Sequence, residues 1–335
     1  MKRAHNLFDR IHDRDNLRHA AHAAMKRKRT KIEARLFAAN LESELKRLAV
    51  DIREGTLVLG KHHQFWIRDP KERLITAPCF RERVLHHAMI RVCEPIFERW
   101  LIADTFACRR EKGRIAALLR AQHFSARNHF YLKLDIRKYF PSISHHRLDS
   151  LIEGLFKEPK MLSLWRQVVS SHGSSERRGL PIGSLTSQHL ANAYLGQFDR
   201  FVKETLRVKG YVRYMDDMVL WGESSQTLQA HLSVINDYLQ RRLSLGLKPT
   251  PYINRVEHGL DFLGARIFPT YMVPNRTSRI RYRRRIQKIE KLQSLGMIGE
   301  SELQRMGTSM TANMRVAGMR SWMWRRCVVD SYDGE

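Results

Sequence analysis

Short runs in which apolar and polar residues alternate predict the strands of this chain. Residues 130–135 read FYLKLD, and their alternation predicts a strand with one apolar and one polar face. The apolar face would carry Phe130, Leu132 and Leu134. The polar face would carry Tyr131, Lys133 and Asp135. Further strands are predicted at 62–68, 73–77, 211–214, 218–221 and 261–268.

Apolar residues spaced by three and four positions predict helices between these strands. Leu85, Ala88, Met89 and Val92 follow this spacing, so a helix is expected from residue 83. The stretch GLPIGSLTSQHLANAYLGQFD from residue 179 begins as a Gly/Pro/Ser loop and continues as another helix, with Thr186 or Ser187 near its start. Further helices are predicted within 1–55, over 146–170, over 225–245 and from Ile286 onward.

The charge of the chain indicates what kind of partner it binds. Its 335 residues contain 60 Lys and Arg against 34 Asp and Glu, a net charge of +26. Folding does not need such an excess, which favours a polyanionic partner, with nucleic acid ahead of an anionic membrane. A basic surface that serves only solubility is the alternative.

Apolar segments and cysteines bear on the expected compartment. No run of about 18 apolar residues occurs, and the first residues lack the apolar core of a signal peptide. Cys79, Cys93, Cys108 and Cys327 stand apart and form no CxxC pair. We therefore expect a cytoplasmic protein without a membrane partner.

Two adjacent acids lie between two of the predicted strands, in the stretch YVRYMDDMVL at 211–220. A tight turn at Met215–Asp216 would bring Asp216 and Asp217 to one rim, where their charges repel unless a cation binds. Oxygen ligands of this kind suit Mg²⁺, and two such ions about 4 Å apart can activate a hydroxyl and stabilise a leaving oxygen. Asp135, at the end of its own strand, is the natural third carboxylate. This layout is typical of a polymerase palm, and solvated turn aspartates are the alternative.

Several motifs occur in the order found in reverse transcriptases, and the chain resembles that family from about residue 60 to 320. YLKLDIRKYFPSI resembles the first palm motif, YMDD the second metal motif, and DFLGARI the primer-gripping turn. RLITAP with RERVLHHAM resembles the fingers, and FACRREKGR a stretch that follows them. The resemblance implies an α+β, right-hand polymerase fold with fingers, an antiparallel-sheet palm and a short helical thumb.

The family's organisation implies six regions in this chain. They are a basic helical extension (1–55), fingers (56–130), a first palm segment (131–145), a fingers insertion (146–179), a second palm segment (180–269) and a helical thumb (270–335). The basic helices of the extension would bind structured RNA or an accessory protein, with a solvated charged face as the alternative.

The loop before the second palm helix points to a subgroup. Most reverse transcriptases have Gln-Gly and then Ser-Pro here, whereas this chain has Ile182–Gly183 and Ser187–Gln188. That pattern resembles the reverse transcriptases of diversity-generating retroelements. The resemblance implies copying of a template RNA into cDNA with errors at adenines, and a small accessory variability protein as partner.

The apolar side chain of Ile182 is physically consistent with reduced fidelity. A glutamine could hydrogen-bond the incoming nucleotide, and losing such a polar contact removes roughly 1–3 kcal/mol of discrimination. The alternative is that Ile182 packs below the nucleotide, and that base-pair geometry alone decides which nucleotide is incorporated.

The resemblance assigns the metal-binding and nucleotide-binding residues. Asp135, Asp216 and Asp217, with the carbonyl of Ile136, would hold two Mg²⁺ ions, for which Mn²⁺ can substitute. The nucleotide-binding residues would be Arg73, Ile136, Phe140, Ile182, Gly183 and Gln188.

Within the nucleotide site, the resemblance also implies individual roles. Phe140 matches the steric gate that excludes a ribose 2′-OH, with a plain core aromatic beside Tyr139 as the alternative. Arg73 would bind the triphosphate through its guanidinium fork. Arg68, Lys71 and Arg109 are weaker phosphate or template candidates.

Two parts of the polymerase resemblance concern basic residues. The family often has a lysine shortly before the primer-grip strand, which acts as general acid for pyrophosphate. In this chain Lys248 lies before the expected position and Arg255 lies after it. The role of general acid therefore stays unassigned. The thumb carries an arginine run that would follow the template–primer backbone. Its members are Arg276, Arg279, Arg281, Arg283, Arg284 and Arg285.

The expected reaction is attack of a primer 3′-OH on a deoxynucleoside triphosphate, copying template RNA. Three alternatives stay open. One is another bacterial reverse transcriptase, of the group II intron, retron or phage-defence type. The others are a non-catalytic RNA-binding scaffold and an RNA-dependent RNA polymerase.

Overall fold

The computed structural model describes residues 2–68, 72–171 and 177–314. The helices are α1 Phe8–Ile11, α2 Arg14–Met25, α3 Ile32–Ala39, α4 Leu41–Glu54, α5 Phe80–Trp100, α6 Arg114–Ser125, α7 Tyr139–Ser142, α8 His145–Leu155, α9 Pro159–Ser170, α10 Leu185–Tyr194, α11 Gly196–Arg200, α12 Ser225–Leu243, α13 Arg276–Ser294 and α14 Glu300–Met314. The strands are β1 His62–Arg68, β2 Glu72–Pro78, β3 Phe130–Asp135, β4 Gly210–Tyr214, β5 Asp217–Gly222, β6 Tyr252–Arg255, β7 Leu260–Phe262, β8 Ala265–Ile267 and β9 Met272–Pro274. A π-helical turn spans Phe201–Thr205 and a 3₁₀ turn Val256–His258.

The chain forms two compact units, each assembled from separate segments. The first unit contains residues up to 102 together with 136–201 and 235–247. The second contains 103–135, 202–234 and the residues from 248 onward.

The long helix α5 forms the centre of the first unit. It buries residues on both sides, including Leu85, Ala88 and Met89, because α2 and α10 both pack against it. Asp13 caps α2 by accepting hydrogen bonds from the amides of Asp15 and Asn16 at 3.1 and 3.0 Å. The spacing that predicted a helix from residue 83 is confirmed, and the helix begins three residues earlier.

A two-stranded hairpin belongs to the same unit. Strands β1 and β2 pair antiparallel over their full length, from His62 opposite Pro78 to Arg68 opposite Glu72. Both strands match the sequence prediction within one residue at each end. Much of the hairpin is exposed, including Phe65 and Trp66.

The second unit is built on a four-stranded antiparallel sheet in the order β4-β5-β3-β6. Helix α6 and the small sheet β7-β8-β9 share one core with residues of β3, β4 and β5. Leu132 and Leu134 are buried, as the alternation predicted, but Tyr131 on the predicted polar face is only 2% exposed. That prediction is wrong for Tyr131 because it packs in the core that α6 and β7–β9 complete.

Several element boundaries differ from the prediction. Residues 146–170 form two helices, α8 and α9, and 261–268 forms the hairpin β7–β8 around Leu263–Gly264. Helix α10 starts at Leu185 after Ser184, before both predicted start residues. Helix α13 already includes the arginine run because Asn275 caps it, accepting from the amide of Ser278 at 2.9 Å.

The mixture of helices with antiparallel sheets confirms the α+β class. None of the helices in the described part of the chain combines the length and the apolar character needed to cross a membrane.

Candidate active site

Antiparallel pairing of β3 with β5 sets Asp135 directly opposite Asp217. Residues opposite each other in such a pair point to the same face, with Cβ atoms about 4.5–5.5 Å apart. Two acids separated by more than eighty positions in sequence therefore converge at one end of the sheet, as the sequence analysis expected.

The third acid lies in the turn between β4 and β5. Tyr214 pairs with Asp217, which leaves Met215 and Asp216 as a two-residue turn. Met215 has a φ of 55°, in the left-handed region that favours glycine and that such hairpin turns require. The guanidinium of Arg213, which is fully buried, donates to the carbonyl of Met215 at 3.1 Å and holds this turn.

Two lysines face the paired acids. The Lys248 ammonium pairs with Oδ2 of Asp135, and its backbone amide donates to the Asp135 carbonyl at 2.9 Å. The Lys133 ammonium lies 3.5 Å from Oδ1 of Asp217 and donates to the carbonyl of Asp261 at 2.7 Å. These contacts offset part of the repulsion between the acids.

Sequence analysis assigned neither lysine a role. Lys133 could have been found, because it lies two residues before Asp135 and so shares its strand face. Lys248 is 113 residues from Asp135, and nothing local in its surroundings points to this contact.

The environment of Asp217 disfavours its charged form. Burial raises the pKa of this carboxyl to about 6, and the nearby charges of Asp135 and Asp216 add to the shift while Lys133 opposes it. A carboxyl in this position binds a cation more readily than a proton once the pH exceeds its pKa.

The chemistry of these acids fits a divalent metal ion. Oδ1 of Asp135 and Oδ1 of Asp217 are both buried and accept no hydrogen bond from the described residues, although the Lys133 ammonium forms an ion pair with the latter at 3.5 Å. Carboxylate oxygens are ligands that Mg²⁺ prefers. Their present arrangement is not a complete metal cluster, since the described residues contain no group of three or more His, Cys, Asp or Glu side chains placed to hold an ion. Lys248 occupies Oδ2 of Asp135, so a metal would have to displace this lysine only if it used both oxygens of the carboxylate.

The predicted nucleotide loop belongs to the first unit and is held against β2. The carbonyl of Ile182 accepts a hydrogen bond from the Thr76 amide at 2.8 Å. Gly183 has a φ of 123°, and a Cβ there would lie 2.8 Å from a methyl group of Ile75. Only glycine fits this close approach. Ile182 is half-buried and Gln188 is exposed on α10.

Phe140 and Tyr139 differ in their surroundings. Both lie in α7, with ring centroids 5.8 Å apart in an edge-on arrangement. Tyr139 is 3% exposed and its hydroxyl donates to the carbonyl of Ala191, whereas Phe140 is half-buried. Tyr139 is therefore the core aromatic of this pair. Ile136 is buried, and its backbone forms a bridge with Leu247.

The predicted phosphate-binding cations occupy different settings. Arg73 is exposed on β2 opposite Ile67, while Arg68 pairs with Glu72 at 3.0 Å across the hairpin. Arg109 donates to the carbonyl of Thr105 at 3.0 Å. Lys71 and Cys327 lie outside the described residues, as does the part of the predicted thumb beyond 314.

The arginine run occupies the N-terminal half of α13. Three of its side chains are exposed, namely Arg276, Arg284 and Arg285. The other three are half-buried, namely Arg279, Arg281 and Arg283. The run therefore presents one exposed and one partly covered set of charges.

An antiparallel sheet with an Asp-Asp turn beside a third aspartate is typical of the palm of a nucleic acid polymerase. Residues 63–267, more than half of the chain, match the family described as reverse transcriptase (RNA-dependent DNA polymerase). The chain therefore belongs to the reverse transcriptase family, and the expected fold of that family is confirmed.

Several known proteins resemble the chain. Protein YkfC of Escherichia coli (strain K12) is 23% identical over 246 residues, covering 59% of this chain and 63% of YkfC. The group II intron-encoded protein LtrA of Lactococcus lactis subsp. cremoris is 25% identical over 171 residues, covering 48% of this chain and 28% of LtrA. The chain thus spans less than two thirds of the length of either relative. The solved structure of apo telomerase from Candida tropicalis matches 65% of this chain and 49% of its own, with 11% identity and a TM-score of 0.48.

The raised pKa of Asp217 predicts a pH-dependent effect of Asp217→Asn on stability. An acid whose pKa is raised on folding destabilises the folded state where it is ionised, so its cost is present above pH about 6 and disappears below pH about 4. Without divalent metal, the variant should therefore melt at a higher temperature than the wild type at pH about 8, and the difference should vanish towards pH about 4. Thermal unfolding in EDTA at both pH values checks this. A variant that melts lower than wild type at pH about 8 would contradict the assignment.

Proposed function

We propose that this protein is an RNA-directed DNA polymerase that copies a template RNA into cDNA. Membership of the reverse transcriptase family supports the reaction class. The observation that carries the proposal is the placement of Asp135 opposite Asp217, next to the strained turn that holds Asp216. A non-catalytic scaffold would have no use for the buried Oδ1 of Asp135, which accepts no hydrogen bond from the described residues, because leaving such an oxygen unsatisfied is costly.

In this proposal the chain's own residues arrange the reacting groups. Asp135, Asp216, Asp217 and the carbonyl of Ile136 would hold two Mg²⁺ ions, or Mn²⁺ in their place. When bound, such ions activate the primer hydroxyl and neutralise charge on the leaving pyrophosphate. Lys133 restrains Asp217, and Arg213 fixes the turn, so the acids keep their positions while the primer 3′-OH attacks the nucleotide.

The residues assigned by the family resemblance would recognise the incoming nucleotide. We assign the triphosphate to the exposed guanidinium of Arg73 and the exclusion of a 2′-OH to the half-buried ring of Phe140. Gly183 lets the backbone approach the nucleotide closely, next to Ile182 and Gln188. A half-buried ring is sufficient for this role, because the ring excludes the 2′-OH by occupying the space that the hydroxyl would take.

The binding of template and primer rests on charge. The exposed arginines of α13 would contact the phosphate backbone. In the N-terminal extension, residues 26–31 read KRKRTK, and all six are exposed. A cluster of this kind suits structured RNA.

We further propose that the protein belongs to the diversity-generating subgroup and makes errors at adenines, with a small accessory variability protein as partner and the cytoplasm as its compartment. The support is the Ile182–Gly183 and Ser187–Gln188 pattern together with the half-buried apolar side chain of Ile182. A group II intron type of reverse transcriptase is the second candidate, favoured by the similarity to LtrA.

Asp135→Asn should abolish primer extension while RNA binding persists, because an amide cannot supply the negative charge that two divalent ions need. Activity is measured by extension of a DNA primer on a defined RNA with Mg²⁺, and RNA binding is measured by a filter-binding titration. Asp237→Asn is a matched control, since Asp237 is an exposed acid on α12 paired with Arg241 at 2.6 Å. Activity of Asp135→Asn near that of wild type would refute the metal assignment.

Ile182→Gln should lower misincorporation opposite template adenine by about fivefold, because the amide restores a polar contact worth about 1 kcal/mol. Sequencing of cDNA copied from a defined RNA gives the error spectrum. Ile115→Gln, which changes an isoleucine that is 45% exposed on α6, serves as the control. An unchanged error spectrum would remove Ile182 as the cause of infidelity and favour the group II intron type.

Phe140→Ala should allow incorporation of ribonucleotides, because the space freed by the ring accommodates a 2′-OH. Phe140→Tyr keeps the ring and should keep the exclusion. Single-nucleotide addition with rNTP and dNTP compares the two variants. Continued strict use of dNTPs by the alanine variant would show that another residue forms the gate.

A further inference from the structure

A chain of buried polar side chains connects the fingers elements of the first unit to the nucleotide loop. Nε2 of His62 lies 3.2 Å from Oε1 of Glu82, and Nε2 of His86 lies 3.6 Å from the same oxygen. Nδ1 of His86 lies 3.1 Å from the hydroxyl of Ser184, which in turn lies 2.8 Å from the hydroxyl of Thr186. We call these five residues the anchoring network.

The network is almost completely removed from water. Glu82 is 3% exposed, while His86 and Ser184 are both 0% exposed. A buried carboxylate is costly unless several donors satisfy it. Glu82 meets this need with the imidazole of His62 at 3.2 Å from Oε1 and with the amide of Gly60, which donates to Oε2 at 3.1 Å. The imidazole of His86 adds a longer electrostatic contact at 3.6 Å. The cost of assembling such a group in the interior indicates that it has a task beyond filling space.

One assignment of protons is consistent with the line of contacts. Nε2–H of His62 donates to Glu82, Nδ1 of His86 accepts from the Ser184 hydroxyl, and that hydroxyl accepts from Thr186. The proton of His86 then lies on Nε2, 3.6 Å from Oε1 of Glu82, where the carboxylate attracts it electrostatically at a distance too long for a hydrogen bond. In this assignment the carboxylate favours this tautomer of His86, and His86 fixes the rotamer of Ser184.

Ser184 is placed where a serine normally stabilises a helix. It is the N-cap residue of α10, yet its side chain makes no capping hydrogen bond. Its hydroxyl faces His86 and Thr186 instead. The serine therefore gives up a common stabilising contact in order to attach the start of α10 to α5.

The attachment point lies next to the nucleotide loop. Gly183 and Ile182 precede Ser184, and on the other side the Ile182 carbonyl is held by the Thr76 amide of β2. Gly183 itself lies against Ile75 without room for a side chain. The loop is thus clamped between β2 on one side and α5 on the other, and the network provides the second clamp.

We propose that Ser184 and His86, oriented by Glu82 and His62, are positioning residues that set the conformation of the Ile182–Gly183 loop and thereby the selection of the incoming nucleotide. This proposal rests on the proposed polymerase function for its kinetic consequence. Its structural part, that the network holds the loop, stands on the contacts of the first unit alone.

Ser184→Ala in the full-length protein tests the proposal, with Ser144→Ala as a matched control. Ser144 is also a helix N-cap serine of the first unit without a side-chain capping bond, and it precedes α8. Ser184→Ala should raise the amide hydrogen-exchange rate of residues 180–186 severalfold, whereas Ser144→Ala should leave that segment unchanged. Ser184→Thr retains a hydroxyl and should restore wild-type exchange. Glu82→Gln, which keeps the side-chain shape, should loosen the same segment and provides a second variant should Ser184→Ala fold poorly.

The kinetic readout separates positioning from general stability. Ser184→Ala should raise KM for the correct dNTP by about fivefold, the factor that one lost hydrogen bond corresponds to, with kcat nearly unchanged and an altered mispair ratio. Ser184→Thr should return both values towards wild type. A lower melting temperature with unchanged exchange at 180–186 and unchanged KM would overturn the proposal. If Ser184→Ala loosens the loop but the wild-type protein extends no primer, the proposed function is refuted and the anchoring role remains in place.

Discussion

Repulsion between Asp135 and Asp217 is the constraint around which the second unit is arranged. Register places these acids on one face of the sheet, and burial raises the pKa of Asp217 to about 6. A fold optimised only for stability would remove one of them, because like charges directly opposite each other destabilise a strand pair. The chain instead holds each acid with a lysine and keeps one oxygen of each without a hydrogen bond. This is the arrangement expected of a site that gains its stability when a divalent ion binds.

The strained turn has the same origin. Met215 adopts a left-handed conformation that costs free energy for any residue other than glycine. The buried guanidinium of Arg213 bonds the carbonyl of that residue and so maintains the turn. Strain of this kind persists where surrounding contacts hold the backbone in place. The turn brings Asp216 next to the paired acids. The first unit treats its own loop similarly, since Gly183 and the carbonyl of Ile182 are fixed against β2 and Ser184 against α5.

Errors of the sequence interpretation have local physical explanations. The arginine run of α13 lacks the apolar spacing by which helices are found, so its helical state was missed although Asn275 was available as a capping signal. Ser184 was overlooked as the start of α10 in favour of Thr186 and Ser187, which are both buried within the helix. Tyr131 was assigned to the polar face because alternation cannot show that a second layer covers that face.

The sequence by itself determined the strand at 130–135, the acidic turn after Tyr214 and the membership of a polymerase family, because each depends on residues close together in the chain. Tertiary structure decided the rest. The register that sets Asp135 against Asp217, the pairing of Lys248 with Asp135 and the contact of His86 with Ser184 join residues that are far apart in sequence. Periodicity and turn chemistry report only neighbours along the chain, whereas these contacts arise when packing brings distant segments together.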